Sequence, residues 1–157
     1  MSTPANNLPA KLPYHPAYKQ TIAAVLSTFT YGDIIDHGWL YNEFGIVVPI
    51  TGDKQKFQKI AIEYMVQIEG LKEELLEKHS MKLVSVYAVG YKIIMPSEHS
   101  AEAMSTLKSK VSKEIKKAVN TLRYVNENML TQAEIQEKDA NVGKIAAVTA
   151  FSKNRLT

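Results

Sequence analysis

The residues of this chain that are best suited to bind a ligand are basic, and they cluster in one segment. Between Ser105 and Val125 the chain holds six basic residues and one acidic residue, within a protein whose formal net charge is only +3. The six are Lys108, Lys110, Lys113, Lys116, Lys117 and Arg123. On a helix, Lys110, Lys113 and Lys117 share one face, while Lys108 and Lys116 flank the row of apolar residues of the same helix, the apolar seam. This stripe predicts contact with phosphate groups, and the alternative is the solvated outer face of an amphipathic helix.

A second grouping, Asp33, Asp36 and His37, has the spacing of metal ligands. The alternative role of each is structural: Asp36 caps a helix, His37 occupies its first turn and Asp33 lies in a Gly–Asp turn. Because the sequence identifies no fourth ligand, we predict no metal site and no cofactor. The absence of cysteine excludes thiolate catalysis and Cys-based metal sites. The chain also lacks a glycine-rich phosphate loop and a Gly-x-Ser-x-Gly motif, so we expect that it is not an enzyme.

Apolar spacing predicts the helices that precede the basic segment. A first helix opens at Pro16, and a short one is capped by Asp36 and followed by Gly45. The pair Ile34–Ile35 before it is either a short strand or a packed turn. A long helix over about 54–79 is capped by Asp53, and Gly70 within it marks a kink, a close helix contact or a division into two helices. Its predicted apolar face comprises Phe57, Ile60, Ala61, Tyr64, Met65, Ile68, Leu71, Leu75 and Leu76.

After residue 80 the hydrophobic period changes from helix to strand and back again. Leu83–Tyr87 and Tyr91–Met95 are β-branched runs joined by a short turn, which predicts a hairpin. A long apolar seam then runs through residues 104–129 and predicts a helix that packs against another helix. Thr131 and Glu134 form a capping-box signature that opens a last helix. The predicted fold class is therefore mainly α with a small β-hairpin.

The hairpin residues resemble the wing of the winged-helix effector domains of response regulators. Val86, Gly90, Tyr91, Lys92 and Ile93 match that family in type and order, whereas Tyr87 replaces its arginine and Ala88 its glycine. The resemblance implies a winged-helix-like domain over residues 16–96, which a two-helix extension follows over residues 97–157. Residues 1–15, rich in proline and asparagine, are predicted to form a flexible arm. The general layout also resembles that of proteins from phages and other mobile elements.

The long helix that the resemblance makes the recognition helix carries the wrong charge for DNA. Its C-terminal half holds four acidic residues against Lys72 and Lys78; they are Glu69, Glu73, Glu74 and Glu77. Such a surface repels the DNA backbone. The sequence therefore predicts that phosphate contacts are made elsewhere in the chain.

These observations lead to two functional hypotheses. In the first, the protein is a small double-stranded DNA-binding protein, a transcription regulator or replication accessory factor. The six basic residues of 105–125 then neutralise phosphates, Lys92 contributes from the wing, and the secondary contacts are Lys54, Lys56 and Lys59. In the second, it is a protein-interaction module, an inhibitor or adaptor that acts on a host complex. A homodimer formed through the apolar seam is compatible with both hypotheses.

The sequence also sets expectations about location. Residues 1–13 lack a cationic region followed by an apolar run, and no stretch approaches the ~20 apolar residues that span a bilayer. We therefore expect a soluble, cytoplasmic protein without a membrane partner.

Overall fold

The fold is mainly helical, with one small antiparallel sheet, as the sequence predicts. A computed structural model describes residues 16–155, so the predicted flexible arm over residues 1–15 lies outside the described residues. The chain divides after Pro96 into two compact units, which are described separately below.

The first unit alternates helices with three short strands. Its helices are α1 (Ala17–Thr28), α2 (His37–Glu43) and α3 (Lys54–His79), and its strands are β1 (Ile34–Asp36), β2 (Leu83–Val86) and β3 (Gly90–Ile93). The strand β3 lies in the centre of the sheet and pairs antiparallel with both β1 and β2. The pair Ile34–Ile35 is thus a strand rather than a packed turn, because these residues pair with Lys92 and Tyr91 of β3.

Side-chain caps begin both α2 and α3 at the predicted residues. Asp36 Oδ1 accepts the backbone N–H of Trp39 at 2.8 Å, and Asp53 Oδ1 accepts that of Lys56 at 2.8 Å. Gly45 follows α2 with φ of +66°, the left-handed conformation that ends a helix at low cost for glycine. The structure thus confirms the two predicted caps and the predicted helix end. They could be predicted from the sequence because each depends only on neighbouring residues.

The core of the first unit lies where α1, α2 and α3 pack with the sheet. The fully buried side chains include Val25, Ile35, Leu40, Leu71, Leu75 and Ile93. The helix α3 continues through Gly70 without division, and a Cβ at that glycine would lie 2.6 Å from Cε1 of Tyr18 on α1. Of the three interpretations of Gly70, the close helix contact is the one that the structure supports.

The second unit is a hairpin of two long helices, α4 (His99–Arg123) and α5 (Gln132–Arg155), with short 3-10 turns at Pro96–Glu98 and Glu127–Met129. The predicted capping box opens α5: Glu134 Oε2 accepts the Thr131 backbone N–H at 2.7 Å, and Thr131 Oγ1 accepts the Glu134 N–H at 3.3 Å. The backbone hydrogen bond from Thr131 holds the pKa of the Glu134 carboxyl below its usual value. No residue described in this unit is fully buried.

Candidate nucleic-acid interface

All six basic residues of the 105–125 segment lie on α4, and their side chains are exposed. They are exposed because Val111, Ile115 and Val119, which are half-buried, form the side of α4 that packs on α5. Lys117 Nζ donates to Glu114 Oε1 at 2.7 Å, a surface ion pair within one helical turn. Among residues 16–154, Lys113 makes no ion pair or hydrogen bond through its side chain, so its charge is available to a ligand.

The six cations are distributed around α4 rather than gathered at one point. Lys108 and Lys116 border a groove of about 380 Å³ between α4 and α5, together with Lys153. Lys110 borders another groove of about 450 Å³. Helical periodicity places Lys113 and Lys117 on the side of α4 opposite Val111 and Ile115. The hairpin therefore presents positive charge along its α4 side, with the centre of that charge turned away from α5.

Arg123 occupies the end of this series, beside a network of charges of both signs. It borders a groove of about 780 Å³ that also includes Glu127, Lys138 and Asp139. Lys138 forms an ion pair with Glu127, and the hydrogen bond to that carboxylate raises the pKa of the lysine. Arg123 thus lies in a more balanced electrostatic environment than Lys113 does.

The predicted secondary contacts belong to the first unit. Lys54, Lys56 and Lys59 are exposed within the first two turns of α3, where the positive end of the helix dipole adds to their charge. Lys92 lies in the middle of β3, half-buried and paired in register with Ile34 and Val84. It therefore lies within the sheet and not at the tip of the hairpin.

The turn of the hairpin shows what two of the wing residues do. A Cβ at Gly90 would lie 2.0 Å from the carbonyl oxygen of Ile35, so only glycine permits this approach of β3 to β1. Ala88, which stands where the resembled family has glycine, adopts φ of +57°. That conformation is strained for a residue with a side chain. Tyr87 beside it is 95% exposed, which leaves an aromatic ring rather than a cation at the tip.

The outward face of α3 is apolar at its centre, which the sequence analysis did not predict. Ile62, Met65 and Val66 are 58%, 63% and 62% exposed, and the exposed carboxylates Glu69 and Glu73 follow them along the helix. Of the predicted apolar face, Met65 is exposed, and so are Phe57, Ala61 and Leu76. The sequence does contain one indication of this exposed apolar surface: Ile62 and Val66 are apolar but fall outside the predicted apolar face of the helix.

The grouping of Asp33, Asp36 and His37 serves the local fold. Asp33 Oδ2 accepts the backbone N–H of Thr30 at 2.8 Å, Asp36 caps α2, and His37 Nδ1 lies 2.7 Å from the Tyr64 hydroxyl. Burial raises the pKa of Tyr64, so its hydroxyl stays protonated, and the imidazole tautomer of His37 sets which of the two groups is the hydrogen-bond donor. Across the described residues, no three His, Asp or Glu side chains are placed to hold a metal ion.

Comparisons with known proteins add no relative to this description. The chain matches no protein-family model, no curated protein and no solved structure. Within residues 16–155, none of the helices combines the length and the apolar character needed to cross a membrane. The function of the candidate site must therefore be inferred from its residues and their geometry.

Proposed function

We propose that this protein binds double-stranded DNA through phosphate contacts made by α4. The observation that carries the proposal is the exposed row of lysines on the side of the helix turned away from α5, centred on Lys113 and Lys117. From Lys110, which borders a groove shared with α5, to Lys117 these lysines cover about 10 Å along the helix axis, so neighbouring phosphates of one groove edge fall within reach of their side chains. Only one acidic residue, Glu114, interrupts it.

The order of helices and strands in the first unit supports the proposal of DNA binding. Helices followed by a hairpin at the C-terminal side are the arrangement that the winged-helix resemblance implies, and β3 is centred between β1 and β2. In this proposal Lys54, Lys56, Lys59 and Lys92 make secondary phosphate contacts. The protein then acts as a transcription regulator or a replication accessory factor.

The surface of α3 limits what kind of DNA recognition is proposed. Reading bases requires hydrogen-bonding side chains in the major groove. The outward face of α3 instead offers Ile62, Met65 and Val66, followed by Glu69 and Glu73, which repel phosphate. We therefore propose binding that depends on phosphate charge and discriminates weakly among DNA sequences.

A binding assay on several unrelated labelled duplexes tests this function. Fluorescence anisotropy should give similar dissociation constants for all duplexes, and the affinity should fall steeply as salt concentration rises. Lys113→Glu should weaken binding to every duplex alike. Lys78→Glu is the matched control, because it makes the same charge change at a lysine that is already paired with Glu74 at 2.7 Å. Absence of binding, or equal loss in both variants, would refute the proposal.

The exposed apolar face of α3 favours a second candidate function, that of a protein-interaction module acting as an inhibitor or adaptor of a host complex. About 60% of the surface of Ile62, Met65 and Val66 is open to solvent, which is more typical of a docking surface than of a DNA-reading helix. The substitution Ile62→Asp should abolish recovery of a specific protein partner in a pull-down and leave DNA affinity unchanged. Unchanged recovery would exclude this face as the docking surface.

A further inference from the structure

One strip of α5 has the pattern that a helix needs to pack against a second copy of itself. The strip consists of Asp139, Val142, Ala146, Ala150 and Lys153, which all border the groove of about 780 Å³. Ala146 and Ala150 are exposed, and Val142 is 46% exposed. The strip is therefore apolar along its centre and bears an acidic residue at one end and a basic residue at the other.

The second unit has apolar surface that the hairpin alone does not cover. None of the side chains described on α4 and α5 is fully buried, and Val142, Ala146 and Ala150 at the centre of the strip remain exposed. Two helices bury too little apolar surface to form a core by themselves, whereas four helices of similar length form a bundle with an enclosed core. The two helices have 25 and 24 residues, so two hairpins match along their whole length.

We propose that the occupant of this groove is a second copy of the chain, packed antiparallel across α5 with a two-fold axis at Ala146. Asp139 precedes Ala146 by seven residues and Lys153 follows it by seven, which is about two helical turns, or roughly 10 Å, on each side. The two-fold axis therefore brings Asp139 of each copy opposite Lys153 of the other. It also brings Val142 opposite Ala150, and the small alanines permit close approach of the two helices.

This order of residues favours a second copy over an unrelated partner. An interface with two-fold symmetry requires a surface that is complementary to itself, and the strip reads negative, apolar, positive about its midpoint. The inference goes beyond the proposed DNA binding and does not depend on it. Lys113 and Lys117 do not border the groove, so dimerisation leaves both of them accessible.

The molar mass in solution tests the dimer. Light scattering after size-exclusion chromatography should give twice 17.6 kDa at high protein concentration and a decrease on dilution. Ala146→Arg places two unpaired charges at the axis and should raise the dimer dissociation constant by about a hundredfold or more. Ala147→Arg is the matched control, since Ala147 is exposed one position further along and does not border the groove. A monomer at every concentration, or equal effects of both substitutions, would overturn the proposal.

A charge exchange tests the antiparallel register directly. Asp139→Lys and Lys153→Asp should each weaken the dimer by about tenfold, because each sets like charges against each other at both ends. The double variant D139K/K153D restores opposite charges and should recover the affinity of the natural chain. Circular dichroism of each variant separates this effect from loss of the helices. If the helices are retained and the double variant is as weak as the single ones, the register is wrong.

Discussion

Replacing Gly90 by alanine should destabilise the first unit more than alanine at any other glycine of the described residues does, because only at Gly90 does the new Cβ collide with backbone atoms. The new Cβ would lie 2.0 Å from the Ile35 carbonyl oxygen and 2.8 Å from Asp36 Cα, both of them backbone atoms of β1. An ordinary carbon–oxygen contact is about 3.4 Å, so β1 and β3 must separate by more than 1 Å. Backbone hydrogen bonds do not survive such a change in length.

The energetic cost follows from the contacts that the separation breaks. Hydrogen bonds link the β1 region to β3 and its turn, among them Ile93 N–H to the Asp33 carbonyl at 2.9 Å and His37 N–H to the Val89 carbonyl at 3.0 Å. Losing two of them costs about 2 kcal/mol. Partial exposure of Ile35, now fully buried, adds about 1–2 kcal/mol. The expected loss of about 3–4 kcal/mol is a large part of the ~5–15 kcal/mol that stabilises a typical domain.

Urea unfolding followed by tryptophan fluorescence measures this loss of unfolding free energy in the first unit, which contains the fluorescent residue. Trp39 is the only tryptophan of the chain, and its ring packs edge-on against Phe29 at a centroid distance of 4.9 Å. Gly143→Ala is the control, because a Cβ there would meet no atom of the described residues within 4 Å. It should stabilise α5 by about 1 kcal/mol and leave the Trp39 transition unchanged. A G90A midpoint equal to that of the natural chain would refute the geometry of the sheet.

Three further changes test other local features. Ala88→Gly should raise the free energy of unfolding of the first unit by about 0.5 kcal/mol, seen as a higher urea midpoint of the Trp39 transition, since glycine relieves the positive φ at a smaller entropic cost; a lower midpoint contradicts this. Tyr64→Phe should destabilise the first unit by about 1 kcal/mol because His37 loses its partner, and an unchanged midpoint would show that this hydrogen bond contributes nothing. The lowered pKa of Glu134 means that its stabilising effect is present above the unfolded pKa near 4.3 and disappears as pH falls through the folded value. Helix content measured by circular dichroism should therefore drop less on acidification in E134Q than in the natural chain, and equal drops would contradict the capping role.

The sequence predicts those parts of the fold whose causes are local. Asp36, Asp53 and the pair Thr131–Glu134 cap helices where expected, because a cap requires only a side chain and the backbone two or three residues away. The sequence is compatible with either a strand or a packed turn at Ile34–Ile35, because the partner strand β3 lies more than 50 residues away along the chain. The interpretation of Gly70 likewise depends on Tyr18, which belongs to another helix.

The same distinction applies to the candidate site. The clustering of lysines on α4 is visible in the sequence, because i, i+3 and i, i+7 spacings determine a helix face directly. Met65 is exposed although it belongs to the predicted apolar face, because apolar spacing alone does not say which part of a broad apolar face the neighbouring helices cover. The sequence alone does not predict the strip centred on Ala146, because its small side chains give no hydrophobic signal until the side of α5 that faces α4 is known.

The salt dependence of DNA affinity in K113E/K117E tests the central claim most directly. Each phosphate contact contributes about −0.9 to the slope of log affinity against log salt concentration, so loss of two lysine contacts should make the slope less steep by about 2. The change should be the same for duplexes of unrelated sequence. A slope equal to that of the natural chain would contradict the proposal that these residues of α4 bind phosphate.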